Sequence, residues 1–127
     1  MNAPVSYNRA ERTFRDAYLA CALWSSIDDS GKPLDNGALE FAPGVALALV
    51  NEGLKFYEAH WEDVSDDPAQ AGHDLWLTRN RHGAGFWDGD WTEAVGKRLT
   101  DASHAMGGID LYIGDDGMIH ALGAVNA

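Results

Sequence analysis

Thr78-Arg79-Asn80-Arg81-His82-Gly83-Ala84-Gly85-Phe86-Trp87-Asp88 is the stretch of sequence on which the fold prediction depends most. Just before it, Leu75 and Leu77 alternate with Trp76 and Thr78, which is the period of a β-strand. Residues 79–83 have the composition of a tight turn, and residues 84–88 are interpreted as a short return strand. The stretch therefore predicts a β-hairpin.

A second hairpin is predicted near the end of the chain. Apolar residues alternate with polar ones over 109–113, and residues 118–122 form the returning strand. The turn between them is Gly114-Asp115-Asp116-Gly117, with glycine where a positive φ is needed. Two hairpins predict one antiparallel four-stranded sheet packed by helices.

Three helices are predicted around this sheet. The first runs from a cap at Ser6 to about Ser26, the second begins near Pro43, and the third lies between the cap Thr92 and Gly107. The apolar faces of the first two consist of Phe14, Ala17, Tyr18, Cys21 and Trp24, and of Leu47, Val50, Leu54, Tyr57 and Trp61. Residues 63–72 are interpreted as an acidic loop or a frayed helix end. The predicted fold is α+β, in the order α-α-β-β-α-β-β.

The length of 127 residues suits one domain, 1–127. Its first part, 1–70, is expected to be mainly helical and acidic, and 71–127 to form the hairpin, helix and hairpin. Cys21 is the only cysteine, which excludes an internal disulfide and suits a reducing cytoplasm. The N-terminus lacks the pattern of a signal peptide, and the longest apolar run, 45–50, is too short to span a membrane.

The net charge of −11 is unevenly distributed along the chain. Eleven acidic residues and two lysines lie between Asp28 and Asp74, which gives this segment a charge of −9. Such a charge disfavours direct binding to nucleic acid or to an anionic membrane, and it favours binding to basic protein surfaces.

Several chemically active side chains are concentrated in 73–90: His73, Asp74, Arg79, Asn80, Arg81, His82, Asp88 and Asp90. A histidine near carboxylates could perform acid–base catalysis, so one hypothesis is a small enzyme that uses His82 with Asp88 or His73. Another is an accessory nucleic-acid-binding protein, whose exposed face would carry Arg79, Arg81, Trp76 and Trp87. The favoured interpretation gives Arg79, Asn80, His82, Trp87 and Asp88 a structural or secondary binding role.

No cofactor, metal site or catalytic residue is expected from the motifs. The spacing of histidines and acids fits no zinc template. Gly83-Ala84-Gly85 lacks the third glycine of a dinucleotide-binding loop, and the turn at 114–117 lacks the alternating oxygen ligands of a calcium loop.

The longer stretch from Gly72 to Asp88 resembles a motif in small uncharacterised proteins of tailed bacteriophages and prophages. The likeness extends to 99–102, 108–119 and 17–26, and it is weakest over 34–71. Members of that family commonly have glycine or another small residue where this chain has Arg81. The resemblance implies a phage origin and action in the host cytoplasm, but it brings no established activity or catalytic residues.

Small acidic phage proteins often antagonise host defence, so the resemblance favours a non-enzymatic inhibitor. The leading hypothesis is an anti-CRISPR protein that binds a Cas effector through an acidic surface imitating nucleic acid, and so blocks DNA binding or nuclease recruitment. The expected partner-binding residues are Asp28, Asp29, Glu52, Glu58, Glu62, Asp63, Asp66 and Asp67. The partner is then a basic defence complex, and unpaired sheet edges would also allow a homodimer.

Overall fold

A computed structural model describes residues 7–123, which form five helices and two strands. In chain order these elements are α1 Arg9–Ser25, α2 Val45–Ala59, α3 Trp61–Val64, α4 Pro68–Arg79, α5 Glu93–Met106, β1 Ile109–Ile113 and β2 Ile119–Gly123. The α+β class is confirmed, but the predicted four-stranded sheet and the order α-α-β-β-α-β-β are wrong. The described part of the chain holds a single two-stranded sheet.

Helix α1 begins after a capping box. The side chain of Asn8 accepts a hydrogen bond from the Glu11 amide (2.8 Å), and the Glu11 carboxylate accepts one from the Asn8 amide (2.9 Å). The predicted cap, Ser6, lies outside the described residues. Of the predicted apolar face, Phe14, Tyr18 and Cys21 are buried, whereas Trp24 is half-exposed.

The first predicted hairpin does not exist, because its leading strand is part of α4. Asp67 caps this helix by accepting a hydrogen bond from the Gln70 amide (3.1 Å), and Pro68 occupies its first turn. Residues 71–79 are buried except for His73. A helix that is buried on nearly every side does not show the 3.6-residue repeat of a helix with one apolar face. The alternation of Leu75 and Leu77 with their neighbours was therefore interpreted as a strand. The segment 63–72, interpreted as an acidic loop or a frayed helix end, contains the end of α3 and the start of α4.

The predicted return strand, 84–88, is a series of turns held by side chains. The Phe86 amide donates to Thr78 Oγ1 (3.0 Å), and the Gly85 amide donates to the Asp88 carboxylate (3.1 Å). Arg81 has a φ of 56°, a left-handed conformation that favours glycine. The chain therefore turns sharply after α4 and returns as a loop that leads into α5.

The second predicted hairpin is confirmed. Strands β1 and β2 pair antiparallel, from Ile109 opposite Gly123 to Ile113 opposite Ile119. Gly117 has the positive φ (77°) that the predicted turn requires. The backbone of Ile119 also exchanges hydrogen bonds with Ala42 and Glu40, which attaches the hairpin to the segment before α2.

The core lies between α1, α2 and α4. Helices α1 and α4 approach closely at Gly72, where an added Cβ would lie 2.4 Å from the Phe14 carbonyl oxygen. The largest buried side chains around this contact are Phe14, Tyr18, Leu49, Leu75 and Trp76. Leu99 of α5 and Ile109, Leu111 and Ile119 of the hairpin complete the same cluster.

Candidate functional site

Arg79, predicted as a motif residue, lies inside the fold and bonds to residues of three other segments. Its side chain is fully buried, and its guanidinium donates to Tyr18 Oη (3.0 Å), to the Glu52 carboxylate (2.5 Å) and to the Gly107 carbonyl (2.8 Å). Burial, partly opposed by the nearby Arg79 charge, raises the pKa of Tyr18 to about 12. Arg79 is therefore not a surface arginine.

Asp74 is a second buried connector. Its carboxylate accepts hydrogen bonds from Gln70 Nε2 (2.9 Å) and Trp91 Nε1 (2.8 Å), and lies 3.2 Å from His73 Nδ1. The bond from Trp91 ties the loop before α5 to α4. Asn80 acts similarly at the end of α4, where its side chain donates to the Trp76 carbonyl and accepts from the Ile109 amide.

Asp74, Asp88 and Asp90 converge, a combination that the sequence spacing did not reveal. One oxygen from each lies within 4.8 Å of the others. Partial desolvation, together with the neighbouring Asp74 and Asp88 carboxylates, raises the pKa of the exposed Asp90. Carboxylates of this kind can hold Mg²⁺ or Ca²⁺, but Asp74 already accepts hydrogen bonds from Gln70 and Trp91. The main role of Asp74 in this group is therefore to attach the loop before α5 to α4.

The side chains of the predicted acid–base site are not brought together. His82 and Asp88 are both exposed, and no hydrogen bond joins them in residues 7–123. Asp88 accepts from the Gly85 amide, while His73 stacks against Trp24 with ring centroids 6.0 Å apart. The geometry required for proton transfer between these residues is not present.

The aromatic and basic face of the nucleic-acid hypothesis is not formed either. Trp76 and Arg79 are buried, and the Trp76 indole donates to Ser25 Oγ (3.0 Å). Only Arg81 and Trp87 of the four residues reach the surface. Two isolated side chains do not form a stacking platform inside a positive groove.

The eight acidic residues predicted to bind a partner fall into two groups. Four accept hydrogen bonds inside the fold: Asp28 from the Ser30 and Lys32 amides, Glu52 from Arg79, Asp63 from Arg98, and Asp67 from the Gln70 amide. The other four are exposed and accept no hydrogen bond from the described residues: Asp29, Glu58, Glu62 and Asp66. The first group helps to build the fold, so the second group offers the free charge.

Three of these free carboxylates flank an exposed tryptophan in the sequence. Glu58, Glu62 and Asp66 lie within nine residues at the end of α2 and around α3, and Trp61 among them is 57% exposed. We call these four residues the acidic corner. A groove of about 530 Å³ runs beside it, bounded by the Asp63–Arg98 ion pair (2.8 Å). The three carboxylates were among the predicted partner-binding residues, but Trp61 was expected on the buried stripe of the second helix, so only its exposure is new.

Comparisons with known proteins leave the chain unassigned. No protein-family model, curated protein or solved structure matches it. Each helix within residues 7–123 is too short or too polar to traverse a lipid bilayer.

Proposed function

We propose that this protein binds a basic protein surface through the acidic corner and thereby keeps nucleic acid off that surface. The observation that carries the proposal is the group of three exposed carboxylates, Glu58, Glu62 and Asp66, with no internal hydrogen-bond donor among the described residues. Carboxylates that the fold does not use are available to pair with lysines and arginines of a partner.

The exposed tryptophan supports the same function. Trp61 leaves 57% of its surface in contact with solvent, although burying an aromatic ring is favourable. Tryptophan often dominates the binding energy at protein interfaces, while charges around it set orientation and association rate. An aromatic anchor inside an acidic rim therefore suits a partner whose own surface is basic.

The partner that we propose is a bacterial defence complex, with a Cas effector as the first candidate. The resemblance of 72–88 to tailed-phage proteins supports this choice, and with it an action in the host cytoplasm. A Cas effector holds its guide and target strands in a positively charged channel. The acidic corner would occupy part of such a channel, without catalysis and without contacting nucleic acid.

Displacement of target DNA tests the proposal. Purified Cas effector–guide complexes of several types are mixed with labelled target DNA, and fluorescence anisotropy follows the release of DNA as the protein is added. We expect one effector to lose its DNA, and this inhibition to weaken at high salt because exposed charges are screened. If every effector retains its DNA, the assignment to CRISPR defence is wrong.

A matched pair of variants separates the acidic corner from net charge. In the variant Glu58→Lys/Glu62→Lys/Asp66→Lys each reversal raises the charge by two, so the total rises from −11 to −5. The control Asp35→Lys/Asp110→Lys/Asp115→Lys makes the same change at other exposed positions. We expect the first variant to lose inhibition by roughly tenfold or more and the control to retain it. Equal losses of inhibition in both variants would mean that net charge, and not the acidic corner, is responsible for inhibition.

A further inference from the structure

A concave site lies beside Trp87, on a part of the molecule that the acidic corner does not use. Phe86, Trp87 and Trp91 form one wall, and Gly96, Lys97 and Thr100 of α5 form the other. The space between them is about 460 Å³, enough for one or two large side chains. Phe86-Trp87-Asp88 closes the stretch on which the fold prediction depended, and the proposed function gives Trp87 no role.

The site is held open by fixed contacts. The Trp91 indole donates to the buried Asp74, and the Phe86 amide donates to Thr78 Oγ1. The two walls meet at Gly96, where an added Cβ would lie 2.6 Å from the Phe86 carbonyl oxygen, so α5 is fixed against the loop. A ligand would therefore enter a cavity that exists before binding, which lowers the entropic cost of association.

Charge around the site favours a cation. Glu93 and Asp101 line it, and Asp88 and Asp90 are exposed on the adjoining loop. Lys97 is the one basic residue in the lining, and its ammonium is already paired with Asp101 (3.0 Å). A phosphate or other anion would meet net repulsion, whereas an organic cation would be attracted.

We propose that this site binds an arginine side chain of a partner protein. The planar guanidinium would stack on the indole of Trp87, which is 48% exposed, and donate to the Glu93 carboxylate, while the aliphatic stem would contact the half-buried Trp91. A lysine ammonium would be attracted but could not stack, and a neutral apolar side chain would leave the carboxylates unused. The arginine would come from the basic partner of the proposed function, and the inference rests on the proposed function in that respect alone.

Binding of a single arginine derivative to the full chain tests this site without any partner. N-acetyl-arginine amide is titrated into the ¹⁵N-labelled protein, and the Trp87 indole resonance is followed by NMR. The same titration is run with N-acetyl-lysine amide, N-acetyl-norleucine amide and indole. We expect saturable binding of the arginine compound that is roughly threefold to tenfold tighter than that of the lysine and norleucine compounds.

Two variants locate the binding. Trp87→Ala should weaken arginine binding by roughly tenfold, followed on neighbouring resonances, and Glu93→Gln by roughly threefold. Trp24→Ala, which removes another half-exposed indole outside the site, should leave binding unchanged. Lysine, norleucine or indole binding as tight as arginine, no saturable binding, or full binding by Trp87→Ala would each overturn the inference. None of these outcomes bears on displacement of DNA by the acidic corner.

Discussion

The guanidinium of Arg79 joins segments that are far apart in the chain: α1 through Tyr18, α2 through Glu52 and the end of α5 through Gly107. Burial acts to lower the pKa of Arg79, but the Tyr18 and Glu52 oxygens around it raise the pKa overall. A buried arginine is tolerated only where its donors are matched in this way. The connection sets the positions of α1, α2 and the end of α5 relative to α4, which carries Arg79.

Glu52→Gln tests how far the fold depends on this connection. The amide preserves the size of the side chain but leaves the buried Arg79 charge without its counter-ion, so the free energy of unfolding should fall by about 2 kcal/mol. Glu58→Gln is the matched control on the same helix; it is exposed and should change stability by less than about 0.5 kcal/mol. Urea unfolding measures both, and equal effects would show that Arg79 does not need its partner.

Alkaline pH should destabilise the protein through Tyr18 and Cys21. Burial raises the pKa of Tyr18 from 10.0 to about 12, and that of Cys21 from 9.0 to about 12. Both groups stay protonated in either state below about pH 8, so they leave stability unchanged there. Between about pH 8 and 12 the unfolded chain releases protons that the folded chain keeps, first from Cys21 and then from Tyr18, and the free energy of unfolding falls.

Urea unfolding at pH 8, 10 and 11 follows this decline. In Cys21→Ala the thiol contribution is removed, so the decline should begin nearer pH 10 and be shallower. A stability that stays flat to pH 11 would contradict the burial of both groups.

These residue-scale connections could not be predicted from the sequence. Arg79 and Glu52 are 27 positions apart, and nothing in their local patterns marks them as partners. Arg79 was given a structural or secondary binding role, but it was placed in a turn and not at the buried end of a helix. Asp63 and Asp67 were counted as free charge because an ion-pair partner or a cap becomes visible only when the helices around it are placed correctly.

Secondary structure was predictable where an element has one buried face. Helix α5 and the β1–β2 hairpin follow the expected pattern because each packs one side against the core and leaves the other in solvent. Helix α4 is buried on most sides and lacks that asymmetry. Its capping residues therefore indicated the helix better than its apolar pattern did. Asp67-Pro68 is such a signal, and it was interpreted as loop.

Gly72→Ala tests the close packing of α4 against α1. Alanine favours a helix by about 1 kcal/mol over glycine, but its Cβ would lie 2.4 Å from the Phe14 carbonyl and 3.0 Å from the Tyr18 amide nitrogen. The two helices would have to separate, so we expect a net loss of about 2 kcal/mol in a urea unfolding experiment. Gly83→Ala is the control, with nothing within 4 Å of the added methyl group. A stabilised Gly72→Ala variant would mean that α1 and α4 are further apart.

At the scale of the whole molecule, the net charge of −11 opposes folding by self-repulsion. The acidic corner contributes to this repulsion without a compensating internal contact. The composition identified this acidity correctly, but it could not distinguish the carboxylates that accept hydrogen bonds inside the fold from those that do not. That division required the positions of Arg79, Arg98 and the helix termini.

Salt should therefore stabilise the protein. Raising NaCl from about 0.02 M to about 0.5 M shortens the screening length from roughly 20 Å to roughly 4 Å, and the free energy of unfolding should rise by roughly 1 kcal/mol. Surface pairs such as Lys97–Asp101 would be weakened at the same time, but each is worth only a few tenths of a kcal/mol. Thermal unfolding at the two salt concentrations measures the balance. The charge-reversed acidic corner should respond less to salt, and an equal response would contradict the role given to these residues.

The loop between α4 and α5 has a kinetic consequence that follows from how it is held. The Phe86 amide is bonded to a hydroxyl of Thr78, and Trp91 is bonded to a carboxylate, so single side chains replace the repeating bonds of a helix or strand. Amide protons in this loop should exchange with solvent through small local openings, long before those of α4 do. Thr78→Val would accelerate exchange at Phe86 in particular, and hydrogen–deuterium exchange would then report directly on the wall of the arginine site.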